Sequence, residues 1–259
     1  MTPGPAKQLA AQYERDGIVF PIEVFSGTEV TGFRGALEAL AEDCGESSLK
    51  RFDSLHLFFD WAYDLVTHQA LLNVVEEILG GDLLIDGTLV FHKPARDSSY
   101  VSWHQDSVYS NWHLTPSASA WIALTPSHRA NGCMRVIPES HKLGLLDHAN
   151  VQDGPNLLRR GERVNLPIDE AQAVDVVLQP GEISLHHSTI VHGSNPNSSA
   201  EPRIGFIVRF VTNQITNRER PLLRVRGNAD CRHLRLAERP AVMDRQSAVA
   251  AWRKHSGVK

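Results

Sequence analysis

The sequence predicts a mainly β fold with helices packed outside it, either a β-sandwich or a jelly roll. Seven short β-rich runs separated by turn residues follow one another between residues 83 and 212. These runs do not alternate with helical segments, which argues against a parallel doubly wound sheet. A chain of 259 residues corresponds to between one and two domains. No linker or repeat divides it, so we expect one domain over 1–259: a helical preface (1–80), a strand-rich core (81–212) and a basic C-terminal segment (213–259).

Three helices are predicted in the preface. Pro5 opens a helix over residues 5–15, because proline is well tolerated in the first turn. Ser26 can cap a second helix that runs through Leu40. Thr67 can cap a third helix, which ends at the Gly80-Gly81 pair.

The strand predictions follow in chain order. The seven β-rich runs cover residues 83–92, 100–106, 118–124, 133–138, 173–178, 182–191 and 203–212. The segment 141–170 has little periodicity and several Gly and Pro residues, which indicates a long irregular insertion. Insertions of that length are often lids or binding loops.

The composition indicates an ordinary globular protein. Hydrophobic residues make up 42% and charged residues 22%, which excludes collagen-like and disordered classes. No apolar run reaches the roughly 18 residues that span a bilayer, and the N-terminus lacks a signal-peptide pattern. We therefore expect a cytoplasmic protein that does not bind membranes, with its three cysteines reduced.

Basic residues are concentrated at the C-terminus. The net charge is −4, but residues 218–259 carry 11 Lys and Arg against 4 Asp and Glu. No aromatic side chains lie among the arginines at 218–226 to stack on bases, so nucleic acid is not an expected partner. The simplest expectation is a solvated strand and helix packed on the acidic body. A positive wall facing an anionic substrate is the alternative.

Residues suited to metal binding begin with His104 and Asp106. Residues two apart in a strand point to the same face, so this imidazole and carboxylate can converge on one point. They would supply two mixed ligands for a divalent metal, and a second histidine would complete a facial triad. The tripeptide alone is weakly specific.

A second group of polar residues follows the run at 182–191. Here an apolar strand ends in His192-Gly193-Ser194, and Arg203 opens the next strand eleven residues after His192. A guanidinium can hold a carboxylate with two parallel hydrogen bonds, for which Lys is a poor substitute. In a regular strand His186 would share the face of His192, so alternation alone does not decide which of them is the ligand.

These motifs, in this order and spacing, resemble the phytanoyl-CoA dioxygenase family of iron(II)- and 2-oxoglutarate-dependent oxygenases. The similarity covers roughly residues 80–212 and extends to residues 120–124, 131–142 and 180–182. The resemblance implies a double-stranded β-helix core, which is a cupin-like jelly roll.

The resemblance also implies roles for individual residues. His104, Asp106 and His192 would be the iron ligands, leaving positions for the chelating keto acid and for dioxygen. Arg203 would bind the distal carboxylate of 2-oxoglutarate, with Ser194 as a hydrogen-bonding partner. Trp121 and Gln105 would line the cosubstrate or substrate side of the pocket. His186 and His187 would then be structural, hydrogen-bonded within the strand pair.

The function implied is hydroxylation of an unactivated C–H bond of a small-molecule metabolite, with release of succinate and CO2. The carboxylate at Asp106 argues against halogenation, because related halogenases have a small residue at that position. Three alternatives remain open: desaturation, epoxidation or cyclisation by the same triad, a cupin-like metal enzyme that does not use 2-oxoglutarate, and a binding module without catalysis. Lys93 and Arg96 are expected as exposed loop charges, with contact to an anionic substrate or cosubstrate as the alternative. The sequence predicts neither the identity of the substrate nor the oligomeric state.

Overall fold

The N-terminal part of the described chain contains four helices and one strand. The computed structural model describes residues 5–45, 52–151, 153–216, 218 and 220–257. Helix α1 (Pro5–Asp16) leads into strand β1 (Ile18–Glu23), which is followed by α2 (Gly27–Asp43), α3 (Asp60–Val66) and α4 (Gln69–Leu79).

Twelve further strands lie in the rest of the described chain. In order they are β2 (Leu83–Lys93), β3 (Val101–His104), β4 (Ser117–Ala123), β5 (Met134–Val136), β6 (His148–Asn150), β7 (Glu162–Val164), β8 (Val174–Asp175), β9 (Glu182–His187), β10 (His192–Ser194), β11 (Arg203–Thr212), β12 (Leu222–Arg224) and β13 (Leu236–Ala237). Helix α5 (Arg245–Ser256) follows them. The large sheet has the order β1-β9-β4-β11-β2-β12-β13, the small sheet has the order β3-β10-β5-β8, and β6 pairs with β7.

The central strands of the large sheet are buried on both faces. In β4 and β11, alternate residues such as Ala120 and Phe206 belong to the apolar core shared with the helices. The residues between them, such as Trp121 and Ile207, pack with Met134 of the small sheet. Because neighbouring residues of a strand point to opposite faces, the large sheet contributes side chains to two cores, one under the helices and one between the sheets. Ser119, Arg203 and Arg209 share the alternation of Trp121 and Ile207, so they lie on the face of the large sheet that packs against the small sheet.

The helix predictions are confirmed for α1 and α2 and need one correction. Ser26 caps α2 in a reciprocal capping box, in which the Glu29 carboxylate accepts from the Ser26 backbone N–H at 2.8 Å. Thr67 does not cap α4, because a short helix that was not predicted, α3, ends there. The Thr67 hydroxyl donates to the Tyr63 carbonyl at 2.8 Å, and α4 begins after His68.

The strand predictions are confirmed for β2 and β11, while the run 182–191 is not one strand. Strand β9 ends at His187, and a turn at Ser188 and Thr189 carries the chain from the large sheet to β10 of the small sheet. The Thr189 backbone N–H donates to His187 Nδ1 at 3.2 Å and stabilises this turn. The predicted strand at 100–106 ends at His104, and Asp106 begins a short 3-10 helix.

The insertion at 141–170 contains more structure than its sequence predicts. Its two strands, β6 and β7, pair with each other in the register of His148 with Val164. The Ser102 hydroxyl of β3 donates to the carbonyl of Glu162 in β7. The insertion is therefore anchored against the small sheet beside the end of β3.

The basic C-terminal segment packs on acidic groups of the rest of the chain. Arg226 pairs with Glu76 of α4, and Arg218 pairs with the buried Asp86 of β2. In α5, the fully buried Trp252 ring packs edge-on against another aromatic ring, that of Phe52. Within the described residues, no helix combines the length and apolar character needed to cross a membrane.

Truncating Trp252 should destabilise the protein strongly. We expect Trp252→Ala to lower the free energy of unfolding by about 3–5 kcal/mol, because it opens a cavity and removes a buried hydrogen-bond donor. The indole Nε1 donates to the carbonyl of Asp53 at 2.8 Å. Val242→Ala is the control, since that side chain is 91% exposed and its loss should change stability by less than about 0.5 kcal/mol. Urea unfolding measures the stability of both variants. Equal midpoints would contradict the conclusion that the buried Trp252 of α5 stabilises the fold.

Candidate metal centre

Strand pairing brings His104, Asp106 and His192 together. Strands β3 and β10 are antiparallel neighbours, and His104 lies directly opposite His192. Their ring centroids are 4.2 Å apart. The backbone stays extended through Gln105, so the side chain of Asp106 projects to the same side as that of His104. Asp106 Oδ1 lies 3.9 Å from His104 Nε2. One ligand atom from each residue lies within 4.8 Å of the other two, and all three residues are buried.

Backbone carbonyls determine which nitrogen each imidazole presents. His104 Nδ1 lies 2.9 Å from the carbonyl of Ser102, and His192 Nδ1 lies 3.1 Å from the carbonyl of Ile190. A carbonyl only accepts, so both Nδ1 atoms carry the proton. Each Nε2 then keeps its lone pair for a metal, which is the tautomer and orientation that metal-ligating histidines use.

Three polar side chains of the large sheet face the Asp106 carboxylate. Arg209, Ser119 and His186 occupy one row across the adjacent strands β11, β4 and β9. Arg209 Nη2 donates to Oδ1 at 3.1 Å and the Ser119 hydroxyl donates to Oδ2 at 2.8 Å. His186 Nε2 is 3.6 Å from Oδ2, too long for a hydrogen bond. This row fixes the orientation of the carboxylate.

Burial and neighbouring charges keep the three candidate ligands in metal-binding protonation states. Burial lowers the pKa of His104, and it lowers the pKa of His192 well below its usual value. Burial alone would raise the pKa of Asp106, but Arg209 and the nearby histidines hold it well below its usual value. The set therefore consists of two neutral imidazoles and one carboxylate.

A cavity connects the triad to other predicted residues. Ser194, Trp121 and Arg203 line the same cavity as the three candidate ligands. The Arg203 guanidinium carbon is 5.4 Å from the Trp121 ring centroid, within cation–π range.

Gly205 makes the contact between Trp121 and Arg203 possible. A Cβ atom at Gly205 would lie 2.1 Å from the Trp121 ring, so only glycine lets the indole lie across this strand. Sequence reasoning did not single out this glycine, although it lies two residues from Arg203 on the same face of β11.

Arg203 is a buried cation with no acidic partner in the part of the chain that the structure describes. It is 2% exposed, it joins none of the ion pairs found among the described residues, and its Nε has no hydrogen-bond partner. Burial lowers its pKa to about 10, so the group is still charged near neutral pH. A buried, uncompensated guanidinium in a cavity is suited to a carboxylate ligand.

Gln105 lies outside the cavity lining, unlike the expectation from the resemblance. Its side-chain nitrogen donates to the carbonyls of Gly144 and Thr189 at 2.8 and 2.6 Å. Its side-chain oxygen accepts from the backbone N–H of Leu146 at 2.8 Å. The amide is fully buried in these contacts, so it anchors the insertion to the β9–β10 turn.

Two side chains were placed wrongly by sequence reasoning. Lys93 was expected as an exposed loop charge, yet it is fully buried at the end of β2, where its ammonium donates to the Ser194 hydroxyl at 2.7 Å. His186 was expected to be hydrogen-bonded within a strand pair, but it lines the cavity, and neither ring nitrogen has a hydrogen-bond partner among the described residues. His187 does have a structural role, through the turn at Thr189.

Other residues near the site were missed, and some carried a usable signal. Ser119 and Arg209 lie in mostly apolar strands, on the alternation that Trp121 and Arg203 share. A polar residue in a run buried on both faces indicates an internal site. Their common target, Asp106, depends on how the two sheets face each other and has no signal in the sequence.

Two histidines and one carboxylate buried between the sheets of a jelly roll form the ligand set of non-haem iron oxygenases. The model of the phytanoyl-CoA dioxygenase family (PhyH) matches residues 13–205, more than half of the chain. The chain therefore belongs to the phytanoyl-CoA dioxygenase family. The family inferred from the sequence motifs and the mainly β, jelly-roll fold are both confirmed.

The chain is similar to part of two named relatives. A probable alpha-ketoglutarate-dependent hypophosphite dioxygenase of Stutzerimonas stutzeri is 27% identical over 164 residues, which is 62% of this chain and 57% of the relative. A 1-deoxypentalenic acid 11-beta-hydroxylase of Streptomyces arenae is 30% identical over 161 residues, 57% of this chain and 53% of the relative. The match thus spans little more than half the length of either relative.

Two solved structures of ThoJ are similar over nearly the whole chain. The apo form of ThoJ, a non-heme monooxygenase, has a TM-score of 0.81, 32% identity and 96% coverage of both chains. The nickel complex of ThoJ has a TM-score of 0.74 and 29% identity, and the match covers 96% of this chain and 98% of that chain.

Metal binding should depend weakly on pH just below neutrality. The pKa values of His104 and His192 are lowered, so both imidazoles remain neutral and no proton has to be displaced. We expect the Ni(II) dissociation constant, measured by calorimetry, to rise less than about threefold from pH 7.5 to 6.0. Two histidines with ordinary pKa values would lose roughly tenfold or more, and a loss of that size would contradict the lowered pKa values.

Gly205→Ala should disturb the Trp121 contact. The added methyl group overlaps the indole, so we expect a loss of about 1–3 kcal/mol in stability and a changed near-ultraviolet circular dichroism signal. Gly87→Ala is a matched control on the neighbouring strand, because a Cβ there meets nothing within 4 Å. If both variants unfold at the same urea concentration as the parent protein, the close approach of Trp121 to Gly205 is wrong.

Proposed function

We propose that the protein is an Fe(II)- and 2-oxoglutarate-dependent dioxygenase that hydroxylates an unactivated C–H bond of a small-molecule metabolite, releasing succinate and CO2. One observation carries the proposal. A buried two-histidine, one-carboxylate set shares one cavity with a buried guanidinium that has no acidic partner among the described residues.

In this proposal His104, Asp106 and His192 hold the iron. Their donor set, two imidazole nitrogens and one carboxylate oxygen, suits Fe(II) and leaves coordination positions free for other ligands. Bound together, iron and 2-oxoglutarate supply the activation of dioxygen for attack on a C–H bond. The nickel complex of ThoJ, a similar non-heme monooxygenase, supports a metal in this fold.

Arg203 and Ser194 then bind the distal carboxylate of 2-oxoglutarate. The unsatisfied Nε and the buried position of Arg203 fit an anion that arrives with the ligand. Trp121 covers one face of the guanidinium and shields the ion pair from water, which strengthens it. A metal enzyme that does not use the keto acid would leave this buried cation uncompensated.

Ser119 and Arg209 keep Asp106 in place during turnover. Both donate to its carboxylate, so the carboxylate does not rotate freely when the ligands around the metal change. The carboxylate also occupies the position that a halide would need. Hydroxylation is therefore favoured over halogenation, and it agrees with the names of the hydroxylase from Streptomyces arenae and the monooxygenase ThoJ.

An anaerobic binding experiment tests the proposal. Protein loaded with Fe(II) without oxygen should develop a weak visible charge-transfer band when 2-oxoglutarate is added. We expect Arg203→Leu to weaken 2-oxoglutarate binding by at least about 30-fold, because it removes a buried charge-assisted contact. The affinity for Fe(II) should change little.

Arg96→Leu is the control, since Arg96 is an exposed arginine just beyond the end of β2. It should leave both affinities unchanged. The proposal fails if folded, iron-loaded protein shows no band. Equal losses of iron and keto acid in Arg203→Leu would refute the role given to Arg203.

A further inference from the structure

His186 lies near the end of β9 and faces the interior of the sandwich. Its partners across the sheet are Ile18 of β1 and Ser119 of β4, so its backbone is paired on both sides. The side chain is 1% exposed and lines the same cavity as the candidate iron ligands. The sheet therefore fixes where this imidazole lies.

Neither ring nitrogen of His186 has a hydrogen-bond partner among the described residues, although both atoms are buried. An imidazole carries at least one N–H donor in each of its protonation states. Leaving a buried donor unmatched costs free energy, so most buried polar groups in proteins are paired. A molecule that enters the cavity would supply the missing partner.

The Asp106 carboxylate, which lies near His186, already has its own donors. Arg209 donates to Oδ1 at 3.1 Å, and the Ser119 hydroxyl donates to Oδ2 at 2.8 Å. His186 Nε2 is 3.6 Å from the same Oδ2, beyond hydrogen-bond distance. The orientation of Asp106 therefore does not require His186.

His186 lies beside the candidate ligand set without belonging to it. Its ring centroid is 4.9 Å from that of His192. The group whose ligand atoms lie within 4.8 Å of one another contains His104, Asp106 and His192, but not His186. Three protein ligands leave coordination positions open on an octahedral metal. A donor next to the set is suited to contact a ligand bound at one of these positions.

The rest of the cavity lining leaves this contact to His186. Ser194 and Arg203 are assigned to the keto acid, and Arg209 donates to Asp106. Much of the remaining lining is apolar, with Phe91, Val101, Met134 and Ile207. In apolar surroundings a hydrogen bond is stronger than in water. A single donor can therefore contribute measurably to the binding of a small ligand.

We propose that His186 is the hydrogen-bond donor for a small anion bound at an open coordination position of the metal. A donor at this place orients the bound anion and slows its dissociation. In the proposed dioxygenase, dioxygen needs such a position. The inference rests on the metal-binding part of the proposed function, and it does not require 2-oxoglutarate.

Azide binding to the Co(II)-loaded protein tests this role. Co(II) replaces Fe(II) because its visible absorption changes with coordination, and azide binds a metal and accepts hydrogen bonds. The proteins are the parent, His186→Phe, which keeps a ring without N–H donors, and His186→Gln, which keeps an amide donor. His255→Phe is the matched control, because His255 is exposed on α5 and does not line the cavity. Calorimetry measures the Co(II) affinity of each protein separately.

His186→Phe should weaken azide binding by about tenfold, the size expected for one hydrogen bond to a charged group. Its Co(II) affinity should change less than about threefold, well below the roughly 10–100-fold loss typical when a partner of a metal ligand is removed. His186→Gln should bind azide within about threefold of the parent, because it keeps a donor. His255→Phe should match the parent in both affinities.

Three results would overturn the proposal. Equal azide affinities in the parent and His186→Phe would show that the ring does not contact the anion. A loss of Co(II) affinity of about tenfold or more in His186→Phe would show that the ring supports the ligand set instead. Azide binding by His186→Gln as weak as that by His186→Phe would assign the effect to ring shape. If His186→Phe does not fold, His186→Leu removes the same donor and should weaken azide binding to a similar extent.

Failure of the proposed function gives a different pattern. If the parent protein does not bind Co(II), both the proposed function and this inference fall. If it binds Co(II), and azide depends on His186, but Fe(II)-loaded protein does not bind 2-oxoglutarate, only the proposed function falls. If the parent binds both metal and keto acid, but azide fails to bind or ignores His186, only the inference falls.

Discussion

The central strands of the large sheet are buried on both faces, and this burial determines where the polar side chains of the site can lie. In β4 and β11 one set of alternate side chains is apolar and packs on the helices, while the other set faces the small sheet. A strand has only these two faces, so every polar residue of the second set must find a partner inside the sandwich. Ser119 and Arg209 find it in Asp106. Arg203 finds none among the described residues, and this difference marks the end of the cavity suited to a ligand.

The two ends of the cavity therefore carry opposite charges. At one end the carboxylate of Asp106 is surrounded by donors, and its charge suits a metal cation. At the other end Arg203 and Lys93 concentrate positive charge in a buried position, which suits the distal carboxylate of a keto acid. Trp121 lies between them, held close to β11 by the absence of a side chain at Gly205. A molecule with a chelating end and an anionic end matches this arrangement.

Much of the fold could be predicted from local signals. The capping box at Ser26 and the long apolar run of β11 are complete within a few residues of sequence, and both predictions were confirmed. The turn at Ser188 and Thr189 was not predicted, because the sequence there contains no Gly or Pro and continues with apolar residues. Its stabilising contacts come from His187 and from Gln105, a residue 84 positions earlier. Long-range contacts of this kind leave no local pattern.

The order and spacing of His104, Asp106, His192 and Arg203 can be read along the chain, and they indicated the family that the comparison confirmed. Long apolar runs in the sequence also indicated strands that are buried, such as β11. Three features depend on contacts between distant segments: Lys93 is buried against Ser194, Gln105 anchors the insertion, and His186 faces the cavity. The physical reason is that a side chain's partner across a sandwich depends on the register and facing of two sheets. Those are set by packing of the whole core, and the residues involved are distant in the chain.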